Sequence, residues 1–156
     1  MKVIIMCGIP GSGKSTLTEQ FPDFVSISQD SLGNRNDCIK ALRRTLTQEK
    51  NVIIDRTNIT IAQRNYFISV AKEYNVSLFC IFLNFPAVEC VERIKNRKVH
   101  ETLPGSTHES KIIEVVDKFV KSLEVPSYDE GFNTIFTCTN FSDLPNFVES
   151  IRKEIT

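Results

Sequence analysis

The chain lacks an excess of either charge: its 156 residues carry 19 basic and 19 acidic side chains. No whole-protein field draws it onto a polyanion, so contact with nucleic acid requires a local basic face. Its five cysteines, Cys7, Cys38, Cys80, Cys90 and Cys138, contain no CxxC pair. Their number is odd and three sit in apolar, strand-like runs. That predicts reduced, mostly buried thiols and a cytoplasmic or nuclear setting. The histidines, His100 and His108, lie near no Cys cluster, which argues against a structural zinc. No run is long and apolar enough to cross a bilayer, and the apolar start is too short and wrongly flanked for a signal peptide. No membrane partner is expected. Low-complexity stretches, linkers and internal repeats are absent, and the length suits a single domain, 1–156, with a two-sided core.

What the chain has is a glycine-rich segment close to its start, Gly8-Ile9-Pro10-Gly11-Ser12-Gly13-Lys14-Ser15-Thr16. It follows an apolar run, Val3-Ile4-Ile5-Met6-Cys7. It opens a predicted helix, Lys14 to Phe21, with Leu17 and Phe21 on one face. This strand–loop–helix context makes Gly-x4-Gly-Lys-Ser a physical phosphate site, the Walker A loop, rather than a string match. Glycines let the backbone curl so that successive N–H groups face one anion. The helix N-terminus adds partial positive charge. Lys14 is expected at the β- and γ-phosphates of a nucleotide such as ATP, and the Ser15 hydroxyl at Mg²⁺.

Apolar strand-like runs alternate with helical patterns, the signature of an α/β sheet with parallel crossovers. Strands are predicted at Lys2–Cys7, Phe24–Ser28, Asn51–Asp55, Val76–Leu83 and Thr134–Thr137. Helices are predicted to start near Lys14, Asn36, Ala62, Pro86, Glu109 and Ser142. Pro86 suits the first position of its helix. Ser106-Thr107-His108-Glu109 fits a capping box. Ile112, Val116, Phe119, Val120 and Leu123 then keep helical spacing. Lys98 to Gly105 has no apolar period and contains Pro104 and Gly105. It reads as a surface loop with the character of a lid, within a lid region of about 93–110.

In open α/β sheets the ligand sits beyond the carboxyl ends of the strands, which ranks the polar residues. The second strand ends in Ser28-Gln29-Asp30 and the third in Asp55-Arg56-Thr57-Asn58. Asp55 reads as a Mg²⁺-organising acid rather than a surface or capping aspartate. Thr57 and Asn58 either cap the next helix or contact substrate. Asp30 is either a general base for an attacking hydroxyl or a helix-start aspartate. Arg93 and Arg97 are four apart, on a different face from a stripe of Val88, Val91 and Ile94. They read either as a solvated face or as arginines that close over phosphates. Arg35, Lys40, Arg43, Arg44 and Arg64 are either surface charge or the lining of an acceptor groove. Thr139 and Asn140, just past the last strand, are candidates for the adenine.

On these residues the chain resembles the kinase domain of 5′-polynucleotide kinases, as found in the phage enzyme and in animal polynucleotide kinase 3′-phosphatase. The resemblance runs from Val3 to about Phe136. It is carried by Gly8–Thr16, Ser28-Gln29-Asp30-Ser31-Leu32-Gly33, Ile54-Asp55-Arg56-Thr57-Asn58, the helix with Arg64 and Ala71-Lys72-Glu73-Tyr74, Arg93-x3-Arg97, and Glu130-Gly131-Phe132. It implies a P-loop kinase-like three-layer α/β/α fold, with a central five-stranded parallel sheet and a helical or loop lid. It also implies transfer of the ATP γ-phosphate to a 5′-hydroxyl end of DNA or RNA, with Mg²⁺.

Asp30 matches the family's general base. Lys14 and Ser15 match its phosphate and metal residues, and Arg97 its lid arginine. Three positions depart from the family. Gln29 stands where Arg usually precedes the base. Gly33 stands where the phage enzyme has Arg, although the animal kinase also has Gly. Asp55-Arg56-Thr57-Asn58 replaces Asp-Asn-Thr-Asn or Asp-Thr-Asn. The donor side is intact; the departures fall on the acceptor side. The length leaves no room for a phosphatase module, so phosphatase or ligase activity is expected from partner proteins. Two other readings stay open: a kinase of this fold acting on a small alcohol such as a nucleoside or sugar, and an ATP-binding module without transferase activity.

Overall fold

The structure, a computed structural model, describes residues 1–28, 32–97 and 109–155. Its strands are β1 (Lys2–Cys7), β2 (Val25–Ser28), β3 (Val52–Asp55), β4 (Ser77–Leu83) and β5 (Thr134–Cys138). They form one five-stranded sheet in the order β2-β3-β1-β4-β5. Every pairing is parallel. Its helices are α1 (Lys14–Thr18), α2 (Arg35–Thr47), α3 (Ile61–Ala71), α4 (Ala87–Lys95), α5 (Glu109–Ser122) and α6 (Leu144–Ile155). Short 3₁₀ turns occupy Tyr128–Glu130 and Phe141–Asp143. None of the described helices is long and apolar enough to cross a membrane.

The central strands of the sheet are buried on both faces, as strands of parallel sheets are. The central strand β1 is sealed from Val3 to Cys7. Its side chains alternate between two cores. Ile4 and Met6 pack with residues of α1, α4, α5 and α6, while Val3, Ile5 and Cys7 pack with residues of α2 and α3. The result is the expected three-layer arrangement.

The strands fall within a residue of their predicted bounds, and unbroken apolar runs mark the central ones. Helix details differ more. The side chain of Asn34 caps α2 by accepting the Asp37 N–H at 2.9 Å. Thr60 and Gln63 form a capping box that starts α3, so neither Thr57 nor Asn58 is the cap. Pro86 is the N-cap of α4 rather than its first helical residue, with an extended ψ of 137°. The buried stripe of α4 is Cys90, Val91 and Ile94, while Val88 is 75% exposed. Val120 likewise faces solvent, while Ile112 and Val116 carry the burial of α5. The first helix stops at Thr18, whose hydroxyl donates back to the Lys14 carbonyl at 2.9 Å. Residues 98–108, which include Ser106 to His108 of the expected capping box and most of the region from 93 to 110, lie outside the described residues.

Candidate functional site

The order β2-β3-β1 brings the carboxyl ends of three strands together, and the glycine-rich loop leaves β1. Gly13 is the N-cap of α1 and has φ 89°, a left-handed conformation that favours glycine. Gly11, at φ 83°, lies against α4: a Cβ there would meet the Cys90 carbonyl oxygen at 2.5 Å. The loop is therefore clamped onto α4 at a point where no side chain fits. At its entry, the Gly8 N–H donates to the Thr57 carbonyl at 3.0 Å. That bond ties the loop to the segment leaving β3.

Lys14 folds its amine over the loop, donating to the Ile9 carbonyl at 3.0 Å and to the Ser12 hydroxyl at 3.4 Å. Burial pushes this amine down to about 8. The Asp55 carboxylate opposes that shift and the Arg97 guanidinium reinforces it. Asp55 and Arg97, from two other segments, thus each lie within electrostatic reach of Lys14. Ser15 and Thr16 are exposed at the start of α1. Asp55 is half-buried at the end of β3, in register with Ser28 of β2.

Arg93 and Arg97 are half-buried rather than solvated. Arg97 is pushed below its ordinary value, first by burial and then by the charge of Arg93. A guanidinium nitrogen of Arg93 lies 3.0 Å from the place a Gly13 Cβ would take. The same guanidinium sits over the Phe141 ring at 4.4 Å, and Phe141 stacks on Phe85 with centroids 3.8 Å apart. A column of Phe85, Phe141 and Arg93 therefore leans against the phosphate loop. Neither aromatic stood out in the sequence. Arg93 was legible from its motif, but its ring partner, Phe141, lies far along the chain, just before α6.

Other predicted residues separate from this cluster. Arg64 is removed from the acceptor groove by its position: it is fully buried. Its Nε and Nη2 donate to the Glu130 carboxylate at 2.7 and 3.0 Å. Its Nη1 donates to the Asn58 carbonyl at 2.9 Å. Arg35 is exposed at the start of α2, with its guanidinium 3.7 Å from the Tyr66 ring centroid. Arg43 pairs instead with Glu73, an exposed contact. Thr57 is half-buried and offers its carbonyl to Gly8. Asn58 is buried and its side chain donates to the Met6 carbonyl at 2.8 Å, so it is a structural brace and not a substrate contact. Thr139 lines a cavity of about 340 Å³ beyond β5, together with Cys138, Asp143 and Phe147. The Asn140 side chain is spent on the following turn, accepting from Ser142 N–H and hydroxyl at 3.1 and 2.9 Å. Asp30, the proposed base, lies outside the described residues.

The donor set fits Mg²⁺. Among the described residues no group of three or more His, Cys, Asp or Glu could hold a metal. Mg²⁺ needs no such cage, since it takes one or two protein oxygens and completes its shell with phosphate and water. The Ser15 hydroxyl and the Asp55 carboxylate are hard oxygen donors of that kind, one on α1 and the other at the end of β3.

Fold and loop together define a P-loop nucleotide-binding protein of the kinase type. A model of the AAA domain family matches residues 3–126. The chain belongs to that family, and the resemblance to polynucleotide kinases is repeated among its curated relatives. It is 32% identical over 162 residues to the Arabidopsis thaliana protein named Transcription factor bHLH140, covering 97% of this chain and 17% of that one. It is 31% identical over 150 residues to the bifunctional polynucleotide phosphatase/kinase of Schizosaccharomyces pombe, covering 92% and 33%. The chain thus spans a third or less of these relatives' lengths. Among solved structures, a fungal RNA kinase superposes with a TM-score of 0.75 at 15% identity, over 99% of this chain and 85% of that one. A sugar kinase from Janibacter sp. HTCC2649 superposes with a TM-score of 0.73 at 15% identity, over 98% and 93%.

Proposed function

We propose that the chain is an ATP-dependent kinase that transfers the γ-phosphate to a 5′-hydroxyl end of DNA or RNA. The observation that carries the reading is a phosphate loop whose Lys14 lies within electrostatic reach of both Asp55 and Arg97, in a chain related to a polynucleotide phosphatase/kinase. Backbone N–H groups of Gly11 to Ser15 cradle the β-phosphate. Lys14 neutralises the β/γ-oxygens, and its depressed proton affinity rises again when that negative charge arrives. Arg97 meets the charge that spreads over the transferring group, and Arg93 holds the donor against the loop. Ser15 and Asp55 would hold Mg²⁺, which would supply charge neutralisation at the phosphates. In the sequence Asp30 comes two residues after Ser28, the β2 residue in register with Asp55. It accepts the proton of the attacking 5′-hydroxyl. Thr57 and the exposed Arg35 border the acceptor side.

The acceptor is a nucleic acid end. A reducing intracellular setting is supported by the five free cysteines, all of them buried. The experiment is Mg²⁺-dependent transfer of label from γ-labelled ATP to 5′-hydroxyl DNA and RNA oligonucleotides. Labelling is expected; protein that binds ATP and labels neither oligonucleotide overturns the reading. Asp30→Asn should lower turnover while sparing ATP binding. A second reading, phosphorylation of a small alcohol, is favoured by one observation: Arg64, a basic residue assigned to the acceptor groove, is buried. Turnover with a nucleoside or sugar and none with oligonucleotides would establish it.

A further inference from the structure

Arg64 and Glu130 are buried together, with side-chain exposures of 0% and 7%. A buried ion pair is weak evidence for stability, because an apolar pair of similar volume often folds as well. Its geometry needs another explanation. Two nitrogens of the Arg64 guanidinium, Nε and Nη2, donate to Glu130, and the third, Nη1, donates to the Asn58 carbonyl. Glu130 is itself fixed by the Ser127 N–H at 2.9 Å. Asn58 is left-handed, φ 45°, and is one of two non-glycine residues so placed among the described residues. Strain of this kind persists only where surrounding contacts over-determine it, and it gathers at functional sites.

Asn58 is held from both sides. Arg64 takes its carbonyl, while its own side chain donates to the Met6 carbonyl at 2.8 Å. The preceding carbonyl, that of Thr57, then points at the Gly8 N–H. From Glu130 the path runs through Arg64 and Asn58 to Met6 and Gly8, where β1 passes into the phosphate loop. Asp55 stands three residues before Asn58 on the same strap. An apolar pair could fill the space of Arg64 and Glu130. It could not hold the Asn58 peptide plane.

We propose that Arg64, Glu130 and Asn58 form a positioning device that sets the phosphate loop and the Asp55 strap in mutual register. The inference rests on the loop binding a nucleotide phosphate, not on the identity of the acceptor. These are positioning residues; none of them touches the reacting atoms.

The test compares Arg64→Met, Glu130→Met and the double variant for thermal midpoint, metal-free ATP affinity and turnover. Each single variant strands one buried charge and should lower the midpoint. The double variant should recover the midpoint while ATP affinity and turnover stay depressed, on the order of tenfold to a hundredfold. Arg64→Lys keeps the pairing charge but cannot donate along two edges at once. It should fold, with turnover reduced more than the midpoint. Asn58→Gly keeps the left-handed backbone and removes the side-chain bond to Met6. It should fold with weaker ATP binding. A folded double variant, or Asn58→Gly, with wild-type ATP affinity and turnover would overturn the proposal. ATP affinity needs no acceptor. If wild-type protein labels no oligonucleotide while these variants bind ATP less tightly, the kinase assignment fails and the positioning proposal stands.

Discussion

Arg64 and Arg97 are both basic residues close to the phosphate loop, yet the fold uses them in opposite ways. Arg64 is sealed in the core, and its charge is answered by Glu130. Arg97 is half-buried and is pressed by a second positive charge, Arg93, next to a lysine whose proton affinity is already lowered. The first arrangement is satisfied within the protein. The second gathers positive charge whose natural counter-charge is a polyphosphate. Part of the expected acceptor side is therefore built for the fold, whereas the proposed donor side keeps its positive charges together.

Removing the satisfied charge should have the largest effect, and on stability. Arg64→Met leaves Glu130 buried without its partner and should cost on the order of 3–5 kcal/mol, read by denaturant or thermal unfolding. A loss under ~1 kcal/mol would erase the contrast between the two arginines. On the donor side the effect should fall on function instead. Lys14→Met should lower kcat/KM by about a hundredfold to a thousandfold, with the unfolding midpoint unchanged or raised, since a charge disfavoured by burial is removed. Arg97→Ala should lower kcat by roughly a hundredfold and the KM for ATP far less, because its charge serves the transferring group.

Proton titration probes the donor side a second way. Lys14 holds its proton to about pH 8 in the folded chain, against 10.5 as its ordinary value. Metal-free ATP affinity should therefore fall as pH rises through about 8. Between about 8 and 10.5 the unfolded chain binds the proton more tightly, so this residue makes stability rise with pH across that window. Lys14→Met should flatten both dependences. Arg35→Ala carries the smallest effect: about a fivefold rise in oligonucleotide KM, with the KM for ATP unchanged.

Much of the fold was legible because its central strands are unbroken apolar runs, bounded by polar residues and joined by helical periods. The phosphate loop was legible because it is local: glycines, lysine and serine are consecutive and need only one strand and one helix around them. The charge of Arg64 suggests a groove residue, yet its own helix carries the contrary signal. Arg64, Phe67, Ile68 and Ala71 fall at i, i+3, i+4 and i+7, so the arginine lies within the apolar stripe of α3, where all four are buried. That spacing signals a buried charge, but its partner, Glu130, lies 66 residues away, beyond the reach of periodicity. Phe141 was hidden for a related reason, since a ring just before α6 meets Arg93 of α4 only through the tertiary fold. Asn58 read as a helix cap or a substrate contact because capping residues are common before helices and it follows a strand end. Thr60, two residues later, takes that role and leaves Asn58 to brace Met6.

A donor site completed by Lys14, Asp55 and Arg97 should deliver phosphate to the 5′-hydroxyl of a nucleic acid. The decisive measurement presents γ-labelled ATP, with Mg²⁺, to 5′-hydroxyl DNA, 5′-hydroxyl RNA, a nucleoside and a sugar side by side. Label is expected on an oligonucleotide at its 5′ end, and Lys14→Met should lower its rate of appearance by about a hundredfold to a thousandfold. Label on the nucleoside or sugar alone, with both oligonucleotides untouched, would refute the assignment.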